Sequence, residues 1–330
     1  MNAGGRSREY DESDVRVRPG KGSRPRSRKR PRHEDAREGF VLAVDRGRYT
    51  LLIDDHPIVA MRARELGRGS VVVGDRVDIV GDVSGAPGTL ARIVRIRERD
   101  SILRRTADDD DPVERVIVAN ADQLVIVTAL ADPPPRPRFI DRCLVAAYDA
   151  GVEPLLCLTK RDLAAPDELL AAYEPLGVNA VATERGGPLD ALRESLTGRL
   201  SVFVGHSGVG KSTLVNALVP DAHRAIGGVN VVTGRGRHTS SSAVALPLPD
   251  DDGWLVDTPG VRSFGLAHVE PQTVVASFPD LTDGTADCPS GCDHLGDQCA
   301  LDAWVEAGHA EPARLESLRR LLGAARDRTA

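Results

Sequence analysis

The chain has 330 residues and is 41% hydrophobic, enough for two or three small domains with real cores. No run approaches the roughly 18 apolar residues of a membrane-crossing helix, and the N-terminus lacks the apolar segment of a secretory leader, so a cytoplasmic chain with no membrane partner is expected. The net charge of −6 conceals an asymmetry: residues 1–37 hold 12 Lys/Arg against 6 Asp/Glu, a balance of +6 that leaves −12 for the remainder.

The basic run from Arg24 to Arg32 has almost no apolar side chains. Such a segment cannot bury enough surface to offset its ordering entropy, so residues 1–37 are expected to form a disordered arm. It serves either as a solubilising tail or as a salt-sensitive phosphate seeker.

Residues 38–105 read as short strands: G-F-V-L-A-V-D, R-Y-T-L-L-I-D, P-I-V-A-M-R-A, D-R-V-D-I-V and L-A-R-I-V-R-I-R, separated by Gly, Pro and Asp. This spacing predicts a small β-barrel, with an OB-like fold the leading candidate. Phe40 and Tyr49 are the only aromatics of the stretch, which argues against base stacking. RNA contact would fall to Arg62, Arg64, Arg68 and Arg92, and a purely structural barrel fits equally well.

Ser101–Val113, with its Asp108–Asp111 run, reads as a linker. From residue 106 to 270 the texture becomes alternating strands and helices. L-V-I-V-T-A-L (124–130) is a continuous apolar run of the kind buried on both faces of a parallel sheet. A helix is predicted over Pro137–Ala150, a strand over 154–159, helices over Leu169–Leu176 and Leu189–Leu200, and a strand over 201–205. This alternation implies a parallel α/β sheet.

Three motifs in this region carry chemistry. Gly205, His206, Ser207, Gly208, Val209, Gly210, Lys211, Ser212 and Thr213 form a G-x-x-x-x-G-K-[ST] loop between a strand and a helix. Its backbone N–H groups can surround phosphate oxygens, Lys211 can reach the β- and γ-phosphates, and Ser212 can ligate Mg²⁺. Asp257-Thr-Pro-Gly260 follows an apolar strand, which suits a carboxylate that holds Mg²⁺ and an N–H that senses the γ-phosphate. Thr159, Lys160, Arg161 and Asp162 follow another strand and match a guanine-reading [NT]-K-x-D motif. Asp162 would accept from the guanine N1–H and exocyclic amine, and the Lys160 stem would lie along the base. Without the phosphate loop, T-K-R-D would be an ordinary strand-to-helix turn.

Gly234–Ser242 (G-R-G-R-H-T-S-S-S) lies where a first switch belongs, with Thr239 as a further Mg²⁺ ligand. The residue after Gly260 is Val261, which has no polar group to place water, so His238 is the candidate for that task. The motif order is unusual: the guanine motif precedes the phosphate loop, as though the ordinary termini were joined and the chain reopened elsewhere.

Cys288, Cys292, His294 and Cys299 lie within twelve residues and form a Cys₃His set suited to tetrahedral Zn²⁺. With no coordination position left open, the site reads as structural, the alternative being free thiols in a loop. Cys143 and Cys157 read as core residues. Leu315, Leu318, Leu321 and Leu322 share one face of a final helix beside Arg314, Arg319 and Arg320, and residues 271–330 are expected to form a zinc-binding helical module.

The succession T-K-R-D, G-H-S-G-V-G-K-S-T, R-H-T-S, D-T-P-G-V-R-S-F and a Cys/His cluster resembles the RsgA family of circularly permuted GTPases, as does V-A-N-A-D-Q at 118–123. The likeness spans about residues 38–325. It implies an OB-like barrel, a permuted P-loop GTPase domain and a zinc module. It also implies GTP as substrate, Mg²⁺ and one structural Zn²⁺, with hydrolysis stimulated by the small ribosomal subunit during its late maturation. Both flanking domains would touch 16S-type rRNA, and a monomer is expected. Three features depart from the family pattern. The zinc spacing is C-x3-C-x-H-x4-C rather than C-x4-C-x-H-x5-C, the specificity motif begins with Thr159 rather than Asn, and Ala182-Thr183 stands where Ser-Ala is usual. Other readings of the same residues are a P-loop kinase using ATP, an RNA-binding scaffold that holds GTP with little turnover, and a permuted GTPase of another ribosomal particle.

Overall fold

β-Branched and apolar residues alternate with polar ones through the first five strands, β1 (Arg37–Asp45), β2 (Arg48–Ile53), β3 (His56–Arg62), β4 (Arg76–Val80) and β5 (Ala91–Ile96). They pair in the order β1-β2-β3-β5-β4, and β4 returns to β1. The closed five-stranded barrel has the expected OB-like architecture. Val41, Leu51, Ile58, Val77, Ile79 and Ile93 fill its interior. The computed structural model describes residues 33–66, 71–86, 88–106, 114–220, 243–258, 264, 266, 268–296 and 298–326. Contacts divide the chain into residues 1–34 and 35–330. The basic run Arg24–Arg32 therefore lies outside the described residues, as do Arg68, Asp108–Asp111, Gly234–Ser242 and Gly260.

The supposed linker contains a strand. β6 (Ile102–Thr106) pairs antiparallel with β7 (Glu114–Ala119) in a separate two-stranded sheet. Leu103 is 1% exposed, and its burial draws the segment into the core despite the charged pair Arg104-Arg105. Within V-A-N-A-D-Q the chain turns between two strands: β7 ends at Ala119 and β8 (Gln123–Ala129) begins three residues past Asn120. Asn120 has φ +55°, a left-handed conformation that Asn tolerates better than most residues. Its amide donates to the Gly74 carbonyl of the barrel at 2.8 Å and its Oδ1 accepts from the Asp100 N–H.

The nucleotide sheet comprises β8, β9 (Glu153–Thr159), β10 (Asn179–Ala182), β11 (Arg199–Val204), β12 (Val244–Pro247) and β13 (Gly253–Asp257). Their spatial order is β10-β9-β8-β11-β13-β12, all parallel except β12. Helix α1 (Pro137–Asp149) follows β8, α2 (Asp167–Tyr173) follows β9, α3 (Asp190–Leu196) follows β10 and α4 (Lys211–Leu218) follows β11. Alternate residues of β8 face opposite cores, Leu124 and Ile126 toward α1, Val125 and Val127 toward α3 and α4. Both sheet faces are thus covered, which explains the unbroken apolar run.

Helix α3 is shorter than the predicted Leu189–Leu200. Gly198, at φ +69°, turns the chain and donates its N–H to the Asp252 carbonyl, and Leu200 already belongs to β11. The helix predicted over Leu169–Leu176 ends at Tyr173 and tightens into a 3₁₀ turn, Glu174–Leu176.

The C-terminal region contains α5 (Pro271–Ala276), α6 (Pro279–Thr282), α7 (Ala300–Glu306) and α8 (Pro312–Arg326). Leu315, Leu318, Leu321 and Leu322 are all buried against α1, α5 and α7, each contributing about 1.5–3 kcal/mol over an exposed position. The three arginines beside them point inward. Arg314 pairs with Asp280 and donates to the Pro175 carbonyl, Arg319 grips Asp302 and the His294 carbonyl, and Arg320 lies 3.2 Å from buried Asp141.

Candidate functional site

The phosphate loop follows β11 because Gly205 alone fits there: a Cβ on it would lie 2.6 Å from the Val127 carbonyl oxygen. Gly208 and Gly210 have φ +86° and +92°, conformations that side-chain-bearing residues rarely adopt. Through them the chain enters α4 at Lys211, so the first N–H groups of the helix open toward the loop and create a site for anionic oxygens. Lys211 pairs with the Asp257 carboxylate at the end of β13. The two candidate charge-handling residues, 46 positions apart, are thereby in contact. Ser212 and Thr213 are exposed on the first turn. The His206 ring leans on Phe139 of α1, with centroids 4.1 Å apart, and its Nδ1 lies 3.4 Å from the Arg136 guanidinium.

T-K-R-D follows β9, two strands away. The Thr159 hydroxyl, 6% exposed as a residue, donates to the Val209 carbonyl of the phosphate loop at 2.5 Å and also faces the Thr128 carbonyl at 3.3 Å. Lys160 has φ +61°, and its ammonium donates to the Asp132 carbonyl. Between the two motifs lies a cavity of about 400 Å³. Thr159, Lys160 and Asp162 line it from one side, Gly208, Gly210 and Thr213 from the other. This volume falls within the range of small-molecule sites. Arg161 is outside the lining. Its guanidinium is 3.4 Å from Glu184 and its N–H donates to the Thr183 carbonyl.

Residues that sequence reasoning did not single out complete the cavity. Leu163, 57% exposed, forms an apolar rim, and Glu184–Gly187 form the facing wall. Thr183 lines the cavity, while its own N–H is already committed to the Leu158 carbonyl at 2.7 Å. The buried Thr258 hydroxyl donates to the Phe203 carbonyl at 2.6 Å and ties D-T-P-G to β11. The signal for the facing wall in the sequence was Ala182-Thr183, standing where Ser-Ala is usual. The remaining candidates, His238, Thr239 and Gly260, lie outside the described residues.

At the C-terminal end the Cys₃His set converges. The Cys288 and Cys299 sulfurs are 3.8 Å apart, and each lies 3.6 Å from His294 Nδ1. All four ligand atoms, Cys292 included, fall within 4.8 Å of one another. A tetrahedron with Zn–S of about 2.3 Å and Zn–N of about 2.05 Å has S···S edges of about 3.75 Å and S···N edges of about 3.55 Å. The edges among Cys288, His294 and Cys299 match these lengths, and the Cys₃His set with Cys292 is compatible with a structural zinc at its shortened spacing. Two features tighten the loop: His294 sits at φ +60°, and its N–H donates to the Cys292 sulfur at 3.4 Å. Burial pushes the Cys299 thiol up to about 12, so metal binding there must release its proton. On the barrel, Arg64 and Arg92 are exposed and Arg62 is half-buried. No helix among the described residues is long and apolar enough to cross a membrane.

A family model described as RsgA GTPase matches residues 96–267. The small ribosomal subunit biogenesis GTPase RsgA of Chlorobaculum parvum is 36% identical over 301 residues, covering 86% of this chain and 96% of its own length. The protein of the same name from Marinobacter nauticus is 37% identical over 265 residues, covering 77% and 73%. Among solved structures, YjeQ from Thermotoga maritima superposes with a TM-score of 0.61 at 27% identity, covering 87% of this chain and 98% of that one. YloQ, described as a circularly permuted GTPase, gives 0.62 at 23% identity over 92% and 99%, a likeness of fold. With T-K-R-D and G-H-S-G-V-G-K-S-T facing one cavity, the former preceding the latter in the sequence, the chain belongs to the RsgA GTPase family.

Proposed function

We propose that this protein hydrolyses GTP when stimulated by the small ribosomal subunit and acts as a late-stage assembly factor that binds 16S-type rRNA. The observation that carries this reading is the single cavity bounded by Asp162 on one side and by Gly208, Gly210 and Thr213 on the other. Asp162 accepts two hydrogen bonds from the guanine edge, which adenine cannot supply, so GTP rather than ATP is the substrate. The names of the curated relatives support the ribosomal role.

In this reading the residues before β1 are a basic arm, β1 to β5 within 38–105 the barrel with Arg37 added at its start, the region from β6 to residue 270 the permuted GTPase domain and 271–330 the zinc module. The chain works as a cytoplasmic monomer, and its barrel and zinc module both contact rRNA. Cys288, Cys292, His294 and Cys299 hold one structural Zn²⁺. Ser212, Thr239 and Asp257 hold Mg²⁺, which when bound neutralises charge on the β- and γ-phosphate oxygens. Lys211 leaves Asp257 and donates to the same oxygens, and the loop N–H groups fix the phosphates for in-line attack. His238 orients the attacking water in place of a glutamine.

GTP turnover measured with and without purified small subunits, across salt concentrations, tests the proposal. A marked rise that fades as salt increases is expected, because charge-driven contact with rRNA weakens with salt. An unchanged rate would leave a GTP-binding scaffold as the better reading.

A further inference from the structure

Strand β12 has the nucleotide sheet on one edge and the barrel on the other. Val244 stands opposite Asp257 of β13 and also opposite Ala43 of β1. One residue thus separates the barrel wall from the carboxylate assigned to Mg²⁺. At the same place β1 is irregular, its pairing register with β2 shifting between Val41 and Ala43. Bulges redirect a side chain, and here Val41 faces the barrel interior while Leu42, 2% exposed, enters the other core with Ala245 and Val256. Two residues earlier, the Phe40 ring lies 5.2 Å from Trp254 at 53°, a tilted aromatic contact onto β13 itself. Trp254 and Val256 lie on the face of this strand that packs in the same core as Leu42, and Val256 is one residue before Asp257.

We infer that Phe40 and Leu42 are positioning residues for Asp257, so that the barrel wall forms part of the scaffold of the nucleotide site. Through β1 and β13, contact made by the barrel reaches the carboxylate without passing through the loops. Small displacements matter, because a shift of about 1 Å in a positioned group can cost about a hundredfold in rate. The inference rests on Asp257 holding Mg²⁺.

Its test uses the full chain and a fluorescent GDP analogue. The quantity read is the Mg²⁺ concentration that half-maximally slows release of the analogue. Phe40→Ala and Leu42→Ala are each expected to raise that concentration by roughly two- to thirtyfold, the span of side-chain couplings of this kind. Affinity for the analogue without Mg²⁺ should stay unchanged, and Phe40→Tyr, which keeps the ring, should restore the parent value. Asp257→Asn serves as the control. If it shifts the Mg²⁺ dependence and both alanine variants, folded by thermal melting, do not, the inference fails while the Asp257 assignment stands. If Asp257→Asn leaves the Mg²⁺ dependence unchanged, the assignment itself fails. If an alanine variant does not fold, the more conservative Leu42→Val and Phe40→Leu are read instead, with the same shift expected and parent-like behaviour overturning the inference.

Discussion

Replacing Thr159 by Val removes a hydroxyl from a buried position while keeping the branched shape. In the parent that hydroxyl holds the Val209 carbonyl of the phosphate loop at 2.5 Å and faces the Thr128 carbonyl at 3.3 Å. A buried carbonyl that loses its donor costs about 1–3 kcal/mol. That carbonyl belongs to the loop that receives the phosphates, so the cost is expected to fall on nucleotide binding. At 1.4 kcal/mol per tenfold, GTP and GDP affinity should drop by about 5- to 150-fold. Thr159→Asn should behave oppositely. A hydroxyl has one hydrogen to donate, whereas an amide has two and can serve both carbonyls. That variant should bind at least as tightly as the parent. Titration of a fluorescent GDP analogue, with thermal melting to verify folding, distinguishes the cases. If folded Thr159→Val binds as tightly as the parent, the hydroxyl does not link the guanine and phosphate motifs.

Three further outcomes are expected. Asp162→Asn should lose about a hundredfold or more in GTP affinity, because two hydrogen bonds to a charged acceptor disappear, and should gain xanthosine nucleotides, whose C2 carbonyl accepts from the new amide. Unaltered preference for GTP in competition assays would remove Asp162 from base recognition. The purified chain should carry one zinc per molecule by metal analysis, and Cys292→Ser or chelation should lower the melting temperature; metal-free protein of equal stability would count against a structural site. Hydrogen bonds from Arg314 and Arg319 hold the Asp280 and Asp302 carboxyls below the ordinary carboxylate pKa. Their stabilisation is therefore present above about pH 4 and lost as pH falls through the depressed values. Asp280→Asn should melt lower at neutral pH yet decline less between pH 5 and 3, and parallel profiles would refute the linkage.

Much of the site was legible because its residues answer to backbone constraints. Gly205, Gly208 and Gly210 have no substitutes at their positions, and β8, β9 and β11 announce themselves by unbroken apolar runs. Less legible were features set by distant partners. Strand β6 contains Arg104 and Arg105 and forms only because Leu103 enters a core built by later helices. The end of α3 depends on Asp252, more than fifty residues onward, which receives the Gly198 N–H. The docking of β1 on β12 joins Ala43 to Val244, and local periodicity holds no trace of that pairing. The arginines of α8 are a further case, since each finds its carboxylate on another element.

Those arginines bear on the order in which the molecule can be completed. Arg314, Arg319 and Arg320 reach α6, α7 and α1, and the leucines between them close the core over α1. During synthesis, every strand of the nucleotide sheet has been made some fifty residues before α8 emerges. Until α8 is added, the part of α1 that Leu315, Leu318, Leu321 and Leu322 cover stays open, and the Cys₃His loop lacks the Arg319 contact to the His294 carbonyl. The last helix thus acts as a latch, and a nascent chain with all its nucleotide-binding motifs in place still presents an apolar surface until that latch shuts.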